Sequence, residues 1–174
     1  LAMTDSEAVE RATDYLSGFG IATDRFLFQA RTAIRRRMEA IRTSAKASVA
    51  AISRLIEWPD RPEGDWARGF VGGIFDAEGS FSGGTIRITN TDRRMIDVLS
   101  EALRNTRFDS IVETPRPTRQ RPVHHVRVRG GLREHLRFIR TFDPAITRKR
   151  DFQAQAVRSA AKLEIVEIQP LDRT

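Results

Sequence analysis

The chain of 174 residues has no cysteine, three histidines and few lysines, since lysine occurs only at positions 46, 149 and 162. The absence of cysteine excludes disulfides, Cys-ligated zinc and thiol catalysis, and it fits an intracellular protein. His124, His125 and His135 leave little material for histidine-based metal or triad chemistry. No run approaches the roughly 18 apolar residues of a membrane span. With 40% hydrophobic and 30% charged residues, the composition indicates a soluble globular protein about one domain long.

Arginine is the residue in excess. It supplies 27 of the 30 basic residues, which outnumber the 23 acidic ones and leave a formal charge of +7. Residues 104–150 hold 13 basic and four acidic residues, a net +9, so the remainder of the chain carries −2. This asymmetry predicts one basic surface, and the planar guanidinium fork suits phosphate oxygens and guanine edges. The partner predicted is a polyanion, most simply nucleic acid, with solubility as the alternative reason for the charge.

Hydrophobic periodicity and turn residues predict six helices and six strands. The helices are 4–18, 31–57, 65–78, 91–105, 131–140 and 145–161, and the strands are 24–28, 80–82, 85–90, 109–114, 122–129 and 163–169. Gly83-Gly84 is expected to form a hairpin turn between two of the strands. From residue 65 the order is α-β-β-α-β-β-α. This order favours an α+β fold, in which helices cover one face of an antiparallel sheet and the other face is free for a ligand.

The first helix is similar to a later one. Thr4 or Asp5 is expected to cap it, with Glu7 at the capping-box position, and Thr91-Asp92 opens a helix 87 residues further on. The same offset aligns the apolar positions of the two helices, and it aligns residues 1–3 with residues 88–90 at the end of strand 85–90. The sequence thus predicts two related halves, the first of which begins in mid-strand, with a helix and hairpin like 65–87 upstream in the parent protein. A chance match between amphipathic helices is the alternative.

Glycine is concentrated in one segment. Seven of the eleven glycines lie within 64–84, around Trp66-Ala-Arg-Gly-Phe-Val-Gly-Gly-Ile-Phe-Asp-Ala-Glu-Gly-Ser-Phe81. Gly69, Gly72 and Gly73 fall inside a predicted helix, where each costs about 1 kcal/mol relative to alanine. Close approach of another helix backbone accounts for them, and loop flexibility is the alternative.

Two carboxylates end this predicted helix. Asp76 and Glu78 lie where the helix dipole is negative, which disfavours an acid unless a cation is bound. Gly79, directly after them, suits a left-handed helix cap. The pattern therefore indicates a cation site at the C-terminal end of the helix.

The nine residues Val71-Gly-Gly-Ile-Phe-Asp-Ala-Glu-Gly79 resemble the LAGLIDADG motif of homing endonucleases, without gaps and with Glu in place of the second acid. Further likeness lies in 86–92 and 143–150, and together these segments look like the endonuclease domains embedded in bacterial inteins. The tail LEIVEIQPLD looks like the entry into an intein splicing domain, but the terminal His-Asn signature is absent and no splicing is inferred. The resemblance covers 65–162, and less closely 4–57.

The resemblance implies a metal-dependent DNA endonuclease. In this family two motif helices pack together, in one chain or across a dimer, and each delivers its second acid to a metal centre. Carried over, Glu78 is the catalytic ligand of Mg²⁺, helped by the Ala77 carbonyl, Lys149 is the catalytic cation, and Asp76 shapes the helix end. A second LAGLIDADG half must then come from a missing N-terminal segment or another copy. The alternatives are a surface acid for Glu78 and a solvated charge or phosphate contact for Lys149.

Successive side chains of a strand point to opposite faces of the sheet, and this alternation, here called strand parity, predicts which side chains would contact double-stranded DNA. Because Ile86, Ile88, Val126 and Val128 point towards the helices, their neighbours point outward. The predicted DNA-contacting set is Ser80, Ser82, Thr85, Arg87, Thr89, His125, Arg127 and Arg129, with Arg116, Arg119 and Arg121 in the loop 114–121. A β-ribbon fits the major groove, where arginine can read guanine. A solvated sheet face would mix charges, whereas this set is nearly all cationic.

These features fit three functions. The first is a site-specific homing endonuclease that makes a metal-dependent double-strand break in a long target site. The second is a LAGLIDADG DNA-binding module without cleavage, and the third is a protein-interaction domain built on helix 31–57. Residues 1–60 are expected to be the remnant of a first half with a Pro59/Pro62 linker, 61–162 a half-domain and 163–174 a tail. The expected location is the prokaryotic cytoplasm, on the nucleoid when bound to DNA, with no membrane partner.

Overall fold

A computed structural model describes residues 1–114 and 122–151 of the chain. We divide the chain into a first part, which ends with α2, and a second part, which begins with α3. The elements of the first part are β1 (Ala2–Met3), α1 (Ser6–Gly18), β2 (Asp24–Gln29), β3 (Met38–Arg42) and α2 (Lys46–Leu55). Those of the second part are α3 (Gly64–Glu78), β4 (Gly79–Ser82), β5 (Thr85–Asn90), α4 (Arg93–Asn105), β6 (Ser110–Glu113), β7 (His124–Val128) and α5 (Leu132–Phe142). A short 3₁₀ turn, Thr147–Lys149, follows α5.

The second part is built on a four-stranded sheet. Its strand order is β4-β5-β7-β6, and all neighbours are antiparallel. The β4–β5 hairpin turns at Gly83 and Gly84, whose φ angles are 57° and 72°. A type I′ turn needs positive φ at both central residues, and glycine adopts it without steric cost. The predicted α+β class and αββαββα order are confirmed.

One face of this sheet carries the apolar core. Ile86 and Ile88 of β5 and Val126 and Val128 of β7 are buried, as the alternation of side chains along a strand requires. The helices and the loop before β6 supply the rest of the cluster, namely Ala67, Val71, Ile74, Phe75, Ile96, Leu99, Ala102, Leu103, Phe108, Phe138 and Phe142. The helix α3 is therefore held through its apolar face, and its other side is left for other contacts.

The first part follows the same plan. Its three strands form an antiparallel sheet in the order β1-β3-β2, which matches the order β5-β7-β6 of the other sheet. Val9, Ile21 and Ile41 are buried in this part of the chain. Subtracting 87 from the bounds of β7 and α5 gives 37–41 and 45–55, within one residue of β3 and α2. The 87-residue correspondence thus runs from β1 to α2, and a truncated first half remains a prediction.

The prediction of one helix over 31–57 is wrong. Residues Met38–Arg42 form β3, and only Lys46–Leu55 are helical. β3 is the central strand of its sheet, so backbone hydrogen bonds on both edges outweigh the helical spacing of its apolar residues. Ile34, inside the predicted helix, is 91% exposed. The interaction domain built on that helix therefore has no structural basis.

The predicted capping box on α1 is also wrong. Asp5 is the N-cap residue, but its side chain accepts no hydrogen bond from the helix backbone. Its carboxylate instead accepts from Arg148. In contrast, Asp92 caps α4 by accepting from the N–H groups of Arg94 and Met95. The two helix starts are alike in sequence and differ because a cation from a distant segment engages Asp5.

The predicted helix over 145–161 is wrong over its described part. Residues 145–151 contain only the 3₁₀ turn, because the N–H groups of Ala145 and Ile146 donate to Asp76. The remainder of that helix, strand 163–169 and the tail lie outside the described residues. Among the helices that the structure describes, none is both long and apolar enough to cross a membrane.

One glycine of α3 is required by packing within the chain. A Cβ at Gly72 would lie 2.4 Å from the carbonyl oxygen of Phe142, the last residue of α5. Gly69 and Gly73 have no such neighbour within 4 Å. The close approach expected from the glycines therefore occurs at Gly72, against α5. The Gly69 and Gly73 side of α3 is uncovered in the described part of the chain.

We expect Gly72→Ala to destabilise the fold and Gly73→Ala to stabilise it. At Gly72 the added methyl group overlaps a backbone carbonyl, and overpacking of this kind costs about 1–3 kcal/mol. At Gly73 the methyl group meets no atom, and alanine is favoured over glycine inside a helix by about 1 kcal/mol. Urea unfolding of both variants beside the parent chain measures the two shifts. Shifts of the same sign would contradict the packing described for Gly72.

Candidate nucleic-acid interface and active site

The helix α3 ends in an exposed carboxylate. Glu78 is its last residue, and Gly79 begins β4 directly after it. Gly79 is not left-handed as expected, since its φ is −83° and its N–H donates to the carbonyl of Phe75. Glycine is required there for space, because a Cβ would lie 2.2 Å from the Phe75 ring. Glu78 therefore stands at the junction of helix and sheet, without an ion-pair partner among the described residues.

Asp76, two residues earlier, faces the interior. It is 8% exposed. Its Oδ2 accepts from the N–H of Ala145 at 2.7 Å, and its Oδ1 accepts from the N–H of Ile146 at 3.0 Å. Both oxygens are thus engaged, and Asp76 joins α3 to the segment that follows α5 instead of presenting itself to a metal ion.

Lys149 also binds the C-terminal end of α3. Its Nζ donates to the carbonyl of Asp76 at 2.6 Å and to that of Phe75 at 2.9 Å. These carbonyls belong to the last turn of α3, at the negative end of the helix dipole. Burial lowers the pKa of Lys149, the charge of Arg148 lowers it further, and nearby carboxylates that include Glu78 oppose both effects. The structure therefore brings Lys149 to the end of α3, from a 3₁₀ turn instead of the predicted helix.

A groove of about 510 Å³ lies between α3 and α1. Small residues form much of its lining, and they include Gly69, Gly72, Gly73 and Ala77 on α3 and Ala8 and Ala12 on α1. Residues without bulky side chains let another backbone approach closely. The groove follows α3 from the uncovered glycines to the residue that precedes Glu78.

The sheet face opposite the helices carries the side chains predicted from parity. Ser80 pairs in register with Arg87, Ser82 with Thr85, Thr89 with His125, and Arg87 with Arg127. These seven residues alternate with the buried positions, so they share one face of the sheet. The Oγ1 of Thr89 and the Nδ1 of His125 are 2.7 Å apart. His125 is therefore bonded to its strand neighbour.

Sequence reasoning missed a carboxylate on this face. Glu113 of β6 pairs in register with His125, and its Oε1 accepts from the Nε of Arg127 at 2.7 Å. This hydrogen bond lowers the pKa of Glu113. Parity alone could have found it, because Val112 pairs with the buried Val126 and its neighbour must then point outward. The outward face is thus mixed in charge and not purely cationic.

The remaining predicted DNA contacts lie off the sheet. Arg129 follows β7 and pairs with Asp109 at 3.1 Å, so part of its charge is balanced within the chain. The loop arginines Arg116, Arg119 and Arg121 lie outside the described residues. The face that the structure describes is therefore centred on β4, β5 and β7.

The oxygen donors at the end of α3 suit a hard divalent cation. Glu78 offers a carboxylate and Ala77 a backbone carbonyl, and Mg²⁺ accepts such ligands beside water and phosphate oxygens. Within residues 1–114 and 122–151 no group of three or more His, Cys, Asp or Glu could hold a metal ion. These residues thus supply one carboxylate to a metal centre, and further ligands must come from elsewhere.

Comparison with known proteins agrees with this geometry. The family profile of LAGLIDADG-like domains matches residues 65–141, which run from α3 into α5. Structures of mesophilic variants of the homing endonuclease I-DmoI are similar, with a TM-score of 0.57 and 14% identity over 82% of this chain and 77% of that one. The structure of I-DmoI in complex with DNA and Mn has a TM-score of 0.57 and 14% identity, over 82% of this chain and 78% of that one. The complex with DNA and Ca has a TM-score of 0.58 and 15% identity, over 82% of this chain and 72% of that one. No curated protein sequence matches the chain.

The fold is therefore that of the LAGLIDADG homing endonucleases, with two antiparallel sheets and a glycine-rich helix that ends in acids. Residues 65–141, less than half of the chain, are similar to the LAGLIDADG-like domain family. At 14% identity the property shared with I-DmoI is the fold.

We expect Asp76→Asn to lower the free energy of unfolding by about 2 kcal/mol, because its NH₂ group would face a backbone N–H and leave a buried donor without an acceptor. Glu78→Gln is the matched control, since it makes the same change at an exposed position. It should shift stability by less than about 0.5 kcal/mol. Thermal and urea unfolding measure both values. Equal losses would show that the two acids do not have the different surroundings described.

Proposed function

We propose that this protein is a site-specific DNA endonuclease of the homing type, which makes a metal-dependent double-strand break in a long target site. The observation that carries the proposal is the exposed carboxylate of Glu78 at the edge of a sheet face that presents arginine. A nuclease needs a surface for the DNA backbone and a metal ligand beside it. Here the two adjoin because the chain passes directly from α3 into β4.

The sheet face supports binding to duplex DNA. Arg87 lies directly opposite Arg127 across β5 and β7. Because Arg127 is paired with Glu113, Arg87 is the guanidinium of the two that has no ion pair among the described residues. A DNA phosphate can balance its charge, and guanine edges can accept from the guanidinium fork. Ser80, Ser82 and Thr85 add hydroxyl groups on the same face. I-DmoI, which has the same fold, has been solved in complex with DNA.

The end of α3 supports binding of Mg²⁺ or a similar divalent ion by Glu78 and the Ala77 carbonyl. When bound, such an ion activates water and stabilises the leaving oxygen of a phosphodiester. Lys149 donates hydrogen bonds to two carbonyls of the last turn of α3 and places a positive charge at that end of the helix. We assign it the role of the catalytic cation. The I-DmoI complexes contain Mn, Ca or Mg.

A second LAGLIDADG half is part of the proposal. The groove beside Gly69 and Gly73 is the seat we assign to a second motif helix, from an upstream segment or another copy of the chain. One carboxylate from each helix then completes the metal centre. In this proposal residues 1–60 are the remnant of a first half and residues 61–162 form the half-domain. The protein derives from an intein, and it acts in the prokaryotic cytoplasm, on the nucleoid when bound to DNA.

A DNA-binding module without cleavage is the second candidate. It is favoured by the single exposed carboxylate that the described residues supply at the end of α3, and by Lys149, which already occupies the last-turn carbonyls. Both candidates use the same DNA face. They differ in whether Glu78 supports a reaction.

We expect Arg87→Ala to weaken DNA binding at least about fivefold and to reduce the slope of log affinity against log salt by about one. Arg104→Ala removes the same charge from the exposed side of α4, behind the sheet, and should leave both quantities unchanged. Fluorescence anisotropy with duplex DNA between about 50 and 200 mM salt measures them. An equal effect of both variants would place the DNA elsewhere.

We expect Glu78→Gln to abolish Mg²⁺-dependent cleavage of a selected target duplex while DNA binding is retained, because the neutral amide no longer attracts the ion. Asp97→Asn removes an exposed carboxylate of α4 and should cleave normally. The assay compares single-turnover cleavage and binding, for the chain alone and joined to its upstream half. If the parent chain binds its duplex in both forms and never cuts it, the module without cleavage is the better description.

A further inference from the structure

Asp5 and Arg148 form an ion pair between segments 143 residues apart. The two carboxylate oxygens of Asp5 accept from the Nε and Nη2 of Arg148, both at 2.7 Å. This bidentate geometry is that of a strong, charge-assisted pair. The side chain of Asp5 is 15% exposed, and its hydrogen bond with Arg148 lowers its pKa. The pair therefore joins the start of α1 firmly to the 3₁₀ turn after α5.

Asp5 makes this pair in place of a local contact. It occupies the N-cap position of α1, yet its side chain accepts nothing from the helix backbone. Asp92, its counterpart 87 residues later, accepts from two N–H groups at the start of α4. The same residue at the same place in the repeat thus has two different partners. The fold leaves α1 without a side-chain cap and gains a contact to a distant segment.

Other groups of α1 bind the same segment. Glu7 accepts from the N–H of Thr147 at 3.4 Å. Arg11 donates to the carbonyl of Asp143 and pairs with its carboxylate at 3.2 Å. From Asp5 to Arg11, one side of α1 therefore contacts the chain from residue 143 to residue 148.

Lys149 is the next residue along this segment. Its Nζ lies on the last-turn carbonyls of Phe75 and Asp76. Its side chain must cross from the segment to α3, so its position depends on where the backbone of the turn is held. Asp76 holds one end of the segment through Ala145 and Ile146, and Asp5 holds the turn itself.

We propose that Asp5 is a positioning residue for Lys149, because by binding Arg148 it fixes the Thr147–Lys149 turn so that the Lys149 ammonium stays on the carbonyls that end α3. A helix of the first part of the chain thereby places the cation at the candidate active site of the second. The catalytic consequence rests on the proposed function. The placement of Lys149 is a property of the chain alone.

Lysine acetylation tests the placement without DNA, metal or a second half. The chain has only three lysines, and Lys46 is exposed and serves as the internal reference. Brief treatment with acetic anhydride and peptide mass spectrometry report the reactivity of each lysine. We expect Asp5→Asn to raise the reactivity of Lys149 relative to Lys46 about fivefold, since the restraint on the turn is lost. Asp5→Glu keeps the carboxylate and should retain most of the protection.

Arg148→Gln separates placement from simple electrostatics. The charge of Asp5 raises the pKa of Lys149 and that of Arg148 lowers it, so an effect of charge alone would make the two variants change reactivity in opposite directions. Loss of positioning makes both variants more reactive. Asp92→Ala removes a helix cap far from the turn and is the control for reduced stability. Opposite changes, or no change, overturn the proposal.

A cleavage assay with the complete complex, which contains DNA and Mg²⁺, tests the catalytic consequence. We expect Asp5→Asn to slow cleavage of bound DNA about tenfold, to leave the dissociation constant for DNA unchanged, and to be rescued by Asp5→Glu. If the parent protein does not cleave, the proposed function fails while the acetylation result still decides the placement. If it cleaves and Lys149 does not respond to Asp5→Asn, the positioning role alone fails.

Discussion

The C-terminal end of α3 is held by an exchange of hydrogen bonds with the segment after α5, and most features of the candidate site depend on it. The carboxylate of Asp76 accepts the N–H groups of Ala145 and Ile146, and the ammonium of Lys149 donates to the carbonyls of Phe75 and Asp76. A helix end has unsatisfied carbonyls and a negative dipole, so two acids there are unfavourable without a cation. Lys149 supplies that cation, Asp76 is held inside, and Glu78 is left exposed beside the sheet.

The arginine excess serves two different purposes in this fold. Several arginines of the basic region are paired within the chain: Arg127 with Glu113, Arg129 with Asp109, Arg137 with Glu134, Arg148 with Asp5 and Arg150 with Asp143. Arg87 forms no ion pair within the described residues and faces outward opposite Arg127. The number of arginines therefore overstates the charge that is free to face DNA, since these arginines are balanced by acids of the chain and one of them holds α1 to the turn that carries Lys149.

The repeat was a better guide to the first part of the chain than helical periodicity. An apolar spacing over 31–57 predicted one helix, whereas the 87-residue offset from β7 and α5 leads to 37–41 and 45–55, close to the observed β3 and α2. Periodicity failed because β3 is paired on both edges, and such pairing depends on strands distant in sequence. Parity worked for β4, β5 and β7 because their alternation is regular, and applied to β6 it would also have revealed Glu113.

Local periodicity and turn chemistry were enough to predict the αββαββα order, the Gly83-Gly84 hairpin, the outward side chains of β4, β5 and β7, and the motif of residues 71–79. The packing of distant segments set three other features: Gly72 lies against Phe142, Asp76 accepts from residues 145 and 146, and Asp5 binds Arg148 instead of capping α1. These contacts join residues about 70 to 143 positions apart. A local pattern specifies which side chains a helix or strand presents, but the partner that they meet depends on how the whole chain packs.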